Sequence, residues 1–283
     1  MYVSMKGMLA RANQGNYAVM AINCFNLETA KAVIGAAQEL KAPIIIDLLQ
    51  DHLIQHLGSK LLTRPIIDMA NAASVEVAIN LDHGQDIGFV KRCLKDGFSS
   101  VMMDASAYPI DDNIRITKEM VEFAQIYDAS VEGEIGNIGS ISSNHMTDDE
   151  MYTNPDLAIK YAKETNVDAL AISYGSSHGD YPDGYVPAFR FDILEKIKGE
   201  TGIPLVLHGG SGCGEENIKK SISLGINKIN VGSDFFKAQL NSIKENLNSN
   251  ELDYFDIIHQ TITAGKALVQ YYIELAGSKG KSL

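Results

Sequence analysis

Only three cysteines occur, Cys24, Cys93 and Cys213, with no Cys-x-x-Cys pair. That excludes a disulfide framework and a thiolate metal knuckle, and leaves reduced, buried thiols as the reading. No segment reaches the roughly 18 apolar residues that a membrane span needs. Residues 1–10 lack a signal-peptide pattern, so the expectation is a cytoplasmic protein with no membrane partner. Positive charge is scarce: 24 Lys and Arg against 36 Asp and Glu give a net charge of −12. A nucleic-acid binder needs a basic face to neutralise phosphates, so that class is excluded. No linker or low-complexity tract interrupts the chain. No glycine-rich nucleotide turn follows the first apolar run, where Asn23-Cys24-Phe25-Asn26 stands instead. That argues against an open, doubly wound dinucleotide fold.

What is present is alternation. The 283 residues, 45% hydrophobic and 21% charged, suffice for a large core without disulfides. Strand-like runs fall at 17–23, 43–48, 75–82, 99–104, 130–135, 169–173, 204–208 and 228–231. Amphipathic stretches at 28–40, 87–95, 112–127, 156–164, 191–199 and 215–224 lie between them. Eight strand–helix units without a break predict a parallel sheet closed into an α/β (β/α)8 TIM barrel, one domain over 1–283. Gly97, Gly202 and Gly225 suit helix C-caps, and Asp112 and Asp156 suit first turns. Residues 254–276 predict an extra C-terminal helix, and 277–283 a frayed end. Two long loops, 136–154 and 174–190, leave strand C-termini and suit lids or variable surface loops.

Three histidines follow strand-like runs and precede glycine: His83, His178 and His208. In one barrel, strand C-termini converge on one face, so these three meet. Three neutral imidazoles with one open position form a common catalytic zinc arrangement. Asn23, Asp47, Asp82, Asp104, Glu132, Glu134, Ser173 and Asn230 share that phase. Carboxylates at a barrel's inner rim require charged company. Asp104 or Glu134 could orient a ligand histidine or bind a second ion. Asp82, beside His83, suits proton transfer at a metal-bound substrate. It also suits a cap for the helix starting near Gln85. His52 and His56, at i and i+4, lack the glutamate of a His-Glu-x-x-His site and read as surface or interface residues.

The seventh strand leads into His208-Gly209-Gly210-Ser211-Gly212, and the eighth into Asn230-Val231-Gly232-Ser233. Glycine turns at helix N-termini let backbone N–H groups approach an anion. In barrels of this class the loops after strands seven and eight are the common phosphate site. Gly179 could complete that cradle.

With these motifs the chain resembles the class II, metal-dependent ketose-bisphosphate aldolases. The resemblance runs through Ile22-Asn23, LDHG at 81–84, GFSSVMMDAS at 97–106, VEGEIG at 131–136, YGSSHG at 174–179, LHGGSG at 207–212 and INVGSD at 229–234. It implies reversible cleavage of a ketose 1-phosphate or 1,6-bisphosphate to dihydroxyacetone phosphate and an aldehyde. It implies catalytic Zn²⁺ on His83, His178 and His208, acting as Lewis acid toward the ketone and its enediolate. It implies a second divalent or monovalent cation at Asp104 and Glu134, and Asp82 as proton carrier. The substrate set it implies is Asn23, Gly179, Gly209, Gly210, Ser211, Asn230, Val231, Gly232 and Ser233. A homo-oligomer, dimer or tetramer, is expected.

Three departures stand out. The family's Gly-Gly-x-Glu-Asp loop is here Gly139-Ser140-Ile141-Ser142-Ser143, without the carboxylates. Asp47 and Leu49 replace a usual Gln and Ser near the substrate, and Ser233 replaces a Thr. Asp47 is expected to repel a second phosphate, which favours an aldehyde other than glyceraldehyde 3-phosphate. Two alternatives stay open. One is a non-catalytic sugar-phosphate-binding relative, suggested by the missing loop glutamate. The other is a metal-dependent barrel hydrolase, although its usual first-strand His-x-His is absent.

Overall fold

The computed structural model describes residues 1–136, 152–179, 181–182, 184–247 and 253–283. Eight parallel strands close into a barrel in sequence order. They are β1 (Val19–Asn23), β2 (Ile44–Leu49), β3 (Val77–Gly84), β4 (Ser100–Met103), β5 (Ser130–Ile135), β6 (Ala169–Ile172), β7 (Leu205–Leu207) and β8 (Ile226–Val231). Pairing of Ala21 with Asn230 closes β8 onto β1. Strands such as Ile44-Ile45-Ile46 are apolar on both faces because one face meets the barrel interior and the other the helix layer.

The helices are α1 (Met5–Gly15), α2 (Leu27–Leu40), α3 (Gln50–Gln55), α4 (Ser59–Ala72), α5 (Ile87–Asp96), α6 (Ile110–Ala124), α7 (Pro155–Thr165), α8 (Phe191–Thr201), α9 (Glu215–Ser223), α10 (Ser233–Asn246) and α11 (Tyr254–Leu275). Local sequence sets their ends. The Asn26 and Thr29 side chains form a capping box at the start of α2, and Lys41 ends that helix in the left-handed region. Gly97 and Gly202 close α5 and α8 with positive φ, as expected of C-cap glycines.

Both ends of the chain hold more structure than the sequence predicts. Residues 1–15 hold a helix, α1, that the sequence reading did not predict. Its Met5, Met8, Leu9 and Ala12 pack on Val19, Ala21, Ile45, Ala78 and Val206, a second core cluster. Residues 277–283 are pinned rather than frayed. Gly280 N–H donates to Leu40 O at 2.9 Å and Ser282 N–H to Lys41 O at 3.1 Å. The Ser282 hydroxyl accepts from Glu76 N–H at 2.8 Å. The segment's backbone donors find partners at the end of α2 and on the Glu76 side chain just before β3, which a composition argument for fraying does not see.

Candidate active site

β3 presents Asp82 and His83 to the same side although adjacent strand residues normally point apart. The register of β3 against β4 shifts between Leu81 and Gly84. Within that bulge His83 takes φ +46°, in the left-handed region. Gly84 follows because a Cβ there would lie 2.6 Å from the Met102 carbonyl oxygen. Asp82 does not cap α5; Asp86 does, accepting from Phe89 N–H at 2.8 Å. The alternative reading of Asp82 as a helix cap is thereby removed.

One nitrogen each of His83, His178 and His208 lies within 4.8 Å of the others. His83 Nε2 and His208 Nδ1 are 3.0 Å apart. The remaining nitrogens face carboxylates: His83 Nδ1 is 3.0 Å from Asp104 Oδ2, and His208 Nε2 is 2.7 Å from Glu132 Oε1. A carboxylate on one ring nitrogen fixes the tautomer and turns the other lone pair toward the shared centre. His83, Asp104 and Glu134 form a second group within 4.8 Å.

The charges around these rings fit a cation. Burial lowers the His208 pKa, favouring the neutral ligand form. Burial also opposes charge on His83, but Asp82, Asp104 and Glu134 outweigh it and push the ring up to about 10. Burial and Asp104 hold the Glu134 carboxyl well above the ordinary range. Its Oε2 is buried and has no hydrogen-bond partner among the described residues. A divalent cation would satisfy that oxygen and supply the positive charge the carboxylates demand. Imidazole nitrogens and carboxylate oxygens are also the donors zinc accepts.

Asp82 is 4% exposed and accepts hydrogen bonds from Asn23 Nδ2 at 2.7 Å and Asn230 Nδ2 at 3.2 Å. Burial works to raise its pKa. The charges of His83, His208 and Lys228 and the Asn23 bond prevail and hold the carboxyl down at about 2. Asn23 in turn explains Gly232, where a Cβ would lie 2.6 Å from Asn23 Oδ1.

The glycine turns meet beside this group. Gly209 has φ +63°, and a Cβ on it would lie 2.5 Å from Ser177 O. Gly210 N–H donates to Asn230 O at 2.9 Å and ties the ends of β7 and β8 together. Asp234 N–H, in the first turn of α10, donates to Ser211 Oγ at 3.2 Å. The N-terminus of α10 follows Gly232, which has no side chain to cap it. A cavity of about 390 Å³ is lined by Asn23, Asp82, His83, His178, Gly179, Gly209, Ser211, Asn230, Gly232 and Ser233. Leu49, His52 and Phe236 complete its wall. Among the expected substrate residues, Gly210 and Val231 lie outside the wall; Val231 is fully buried as the last residue of β8. Asp104 and Glu134 stand behind His83.

Two expectations need correction. Asp47 is fully buried, hydrogen-bonded by Asn80 Nδ2 at 2.7 Å and paired with Lys228 Nζ at 3.5 Å. A neutralised interior carboxylate cannot repel a substrate phosphate. His52 is not a plain surface residue but part of the cavity wall, while His56 is exposed. Sequence reading also missed Lys228 and the role of Glu132. Lys228 Nζ is fully buried and lies 2.8 Å from Glu132 Oε2. Burial works to neutralise the ammonium, but Asp47 and Glu132 hold its pKa above the ordinary lysine value. The signal was a lysine inside an apolar strand, Ile226-Asn227-Lys228-Ile229. The departure at 139–143 lies outside the described residues.

The family model of class-II fructose-bisphosphate aldolase matches residues 3–281. The 6-phospho-5-dehydro-2-deoxy-D-gluconate aldolase of Halalkalibacterium halodurans is 39% identical over 274 residues, covering 95% of this chain and 92% of that one. The fructose-bisphosphate aldolase of Geobacillus stearothermophilus is 38% identical over 288 residues, covering 99% and 98%. The crystal structure of the YdjI aldolase from Escherichia coli K12 superposes with a TM-score of 0.89 at 31% identity, covering 100% of both chains. A whole-chain family match, relatives of near-equal length and a shared barrel leave one conclusion: the chain belongs to the class-II fructose-bisphosphate aldolase family, a family of lyases that cleave sugar phosphates by aldol chemistry and are generally metal-dependent.

Proposed function

We propose that the protein is a zinc-dependent aldolase that reversibly cleaves a ketose 1-phosphate into dihydroxyacetone phosphate and an aldehyde bearing no phosphate. The observation that carries this reading is the meeting, at one cavity, of His83 and His178 on its wall with His208 buried against them, the Asp82 carboxylate held by two asparagines, and a pair of glycine turns. His83, His178 and His208 would hold the cation, oriented by Asp104 on His83 and Glu132 on His208. When bound, the cation supplies Lewis-acid polarisation of the substrate ketone and stabilises its enediolate. Glu134 and Asp104 suit a second cation.

The chain's own groups do the rest. The Gly209 turn and the α10 N-terminus at Ser233 offer a pre-formed site for the C1 phosphate. Asp82 accepts the C4 hydroxyl proton as the C3–C4 bond breaks. The bond's electron pair passes to the ketone half, and the C4 carbon leaves as an aldehyde. A solvent proton taken up at C3 completes dihydroxyacetone phosphate; in condensation C3 loses that proton to solvent and Asp82 returns its own to the new C4 hydroxyl. Asn23 and Asn230 hold its two oxygens in place, and a carboxylate with a low pKa is ionised across the physiological range.

The restriction to one phosphate rests on the wall itself. None of its residues among those described is Lys or Arg. Residues 137–151 contain neither type. A second phosphate would have no cationic partner from these residues. The relative from Halalkalibacterium is named for a substrate with one phosphate, the one from Geobacillus for a bisphosphate. The test is condensation of dihydroxyacetone phosphate with a panel of aldehydes. Unphosphorylated aldehydes are expected to prevail over glyceraldehyde 3-phosphate. Cleavage of fructose 1,6-bisphosphate at kcat/KM of about 10⁴ M⁻¹s⁻¹ or more would refute the restriction.

A further inference from the structure

His52 lies on α3, a short helix at the cavity mouth, and its ring is fixed from two sides. Its centroid is 6.1 Å from that of Phe25 and 5.9 Å from that of Phe236, and the two phenyl rings are 5.5 Å from each other. These residues come from the β1–α2 turn, α3 and α10, so three separate units of the barrel build one aromatic collar. The helix is tied to the metal group as well. Gln50 Oε1 accepts from Gln85 N–H at 3.0 Å and from Asp86 N–H at 3.1 Å. Gln85 Nε2 donates to Asp104 Oδ2 at 3.3 Å, and that same oxygen faces His83.

His52 Nδ1 is closed off from solvent and has no hydrogen-bond partner among the described residues. A buried N–H without an acceptor costs about 1–3 kcal/mol, and an unused acceptor lone pair is better tolerated. Nδ1 therefore carries the lone pair, and Nε2 carries the hydrogen. His52 is only partly buried and lines the cavity, so its open edge is available there. Around it the wall is apolar, with Leu49 and Phe236.

We propose that His52 is a specificity-determining residue whose Nε2–H donates to an oxygen on the aldehyde half of the substrate. The preferred aldehyde is short, carries a hydroxyl or carboxylate oxygen beyond the carbonyl, and has no phosphate. This rests on the aldolase reading above and sharpens it. One donor set in an apolar ring satisfies one acceptor oxygen and leaves the further oxygens of a phosphate without partners from that ring. A binding site built to hydrogen-bond a group discriminates against the analogue that lacks it, because its own donor is then left unpaired.

The test compares three aldehydes in condensation with dihydroxyacetone phosphate: lactaldehyde, 3-oxopropanoate and propanal. His52→Phe keeps the collar and removes the donor. It is expected to raise KM about fivefold to tenfold for the oxygenated aldehyde that the wild type prefers, leaving propanal unchanged. His52→Gln, which restores a donor, is expected to recover most of that preference. The arm that suffers identifies hydroxyl or carboxylate as the acceptor. Proton exchange into dihydroxyacetone phosphate alone monitors the reaction core and is expected to be unaffected by His52→Phe. Equal losses for propanal and the oxygenated aldehydes would overturn the proposal, as would a collapse of exchange in His52→Phe. Absence of exchange in the wild-type enzyme would instead refute the aldolase reading.

Discussion

The floor and the mouth of this cavity are built on opposite plans. The floor is dense in charge and cross-tied: Asp82 to Asn23 and Asn230, His83 to Asp104, His208 to Glu132, Glu132 to Lys228 and Lys228 to Asp47. Glu134 Oε2, Asn80 Oδ1 and Asn230 Oδ1 have no hydrogen-bond partner among the described residues, and a low-dielectric surrounding makes each link strong and each such gap costly. The mouth is made of Leu49, Phe25 and Phe236 around His52, whose Nδ1 has no hydrogen-bond partner among the described residues. The lesson is a division of labour. The floor is fixed by the requirements of charge, whereas the mouth can be altered without disturbing it.

Substitutions should separate the two. The largest effect is expected at the imidazoles: His83→Ala or His208→Ala should remove both divalent-metal binding, read by metal analysis of dialysed protein, and all turnover. Next, Asp82→Asn should retain metal and lower kcat by about 10²–10⁴-fold. A variant with near-normal turnover would break the assignment of Asp82 as proton carrier.

Lys228→Met probes the tie beneath the site. It strands two buried carboxylates, and chemical denaturation should show a loss of about 3–5 kcal/mol. A loss below about 1 kcal/mol would mean that Asp47 and Glu132 are not both ionised in the folded protein. Glu132→Gln should weaken metal affinity about 10–100-fold through misorientation of His208, with the fold intact. Smallest of all, Leu49→Ala should alter proton exchange by less than about twofold while raising KM for propanal about threefold to tenfold, since only apolar contact at the mouth is lost. If Leu49→Ala instead slowed exchange as severely as His83→Ala, the separation of floor and mouth would be wrong.

The same division governs what could be read from the sequence. Barrel strands announce themselves as short apolar runs, and their C-terminal residues fall in one phase. The convergence of His83, His178, His208, Asp104 and Glu134, with Asp82 beside His83, was therefore legible in the sequence. The glycine turns were legible because close backbone approach tolerates nothing else, as Gly209 against Ser177 shows. Lys228 was hidden because its partners, Asp47 and Glu132, come from strands far apart in sequence. Asp47 was misjudged for the same reason: position at a strand end does not say whether a cation waits inside. His52 was missed because its place depends on Phe25 and Phe236, contributed by two other barrel units. Helix α1 escaped notice because its few apolar positions, Met5, Met8, Leu9 and Ala12, have meaning only against the open end of a closed barrel.

The most direct test of the central claim is exchange of the hydroxymethyl proton of dihydroxyacetone phosphate with solvent, followed by NMR in deuterated water without any aldehyde. The account predicts exchange that EDTA abolishes and zinc restores, in the wild type and in His52→Phe alike. Exchange that persists undiminished after complete chelation would contradict it, as would tight binding of dihydroxyacetone phosphate with no exchange at all.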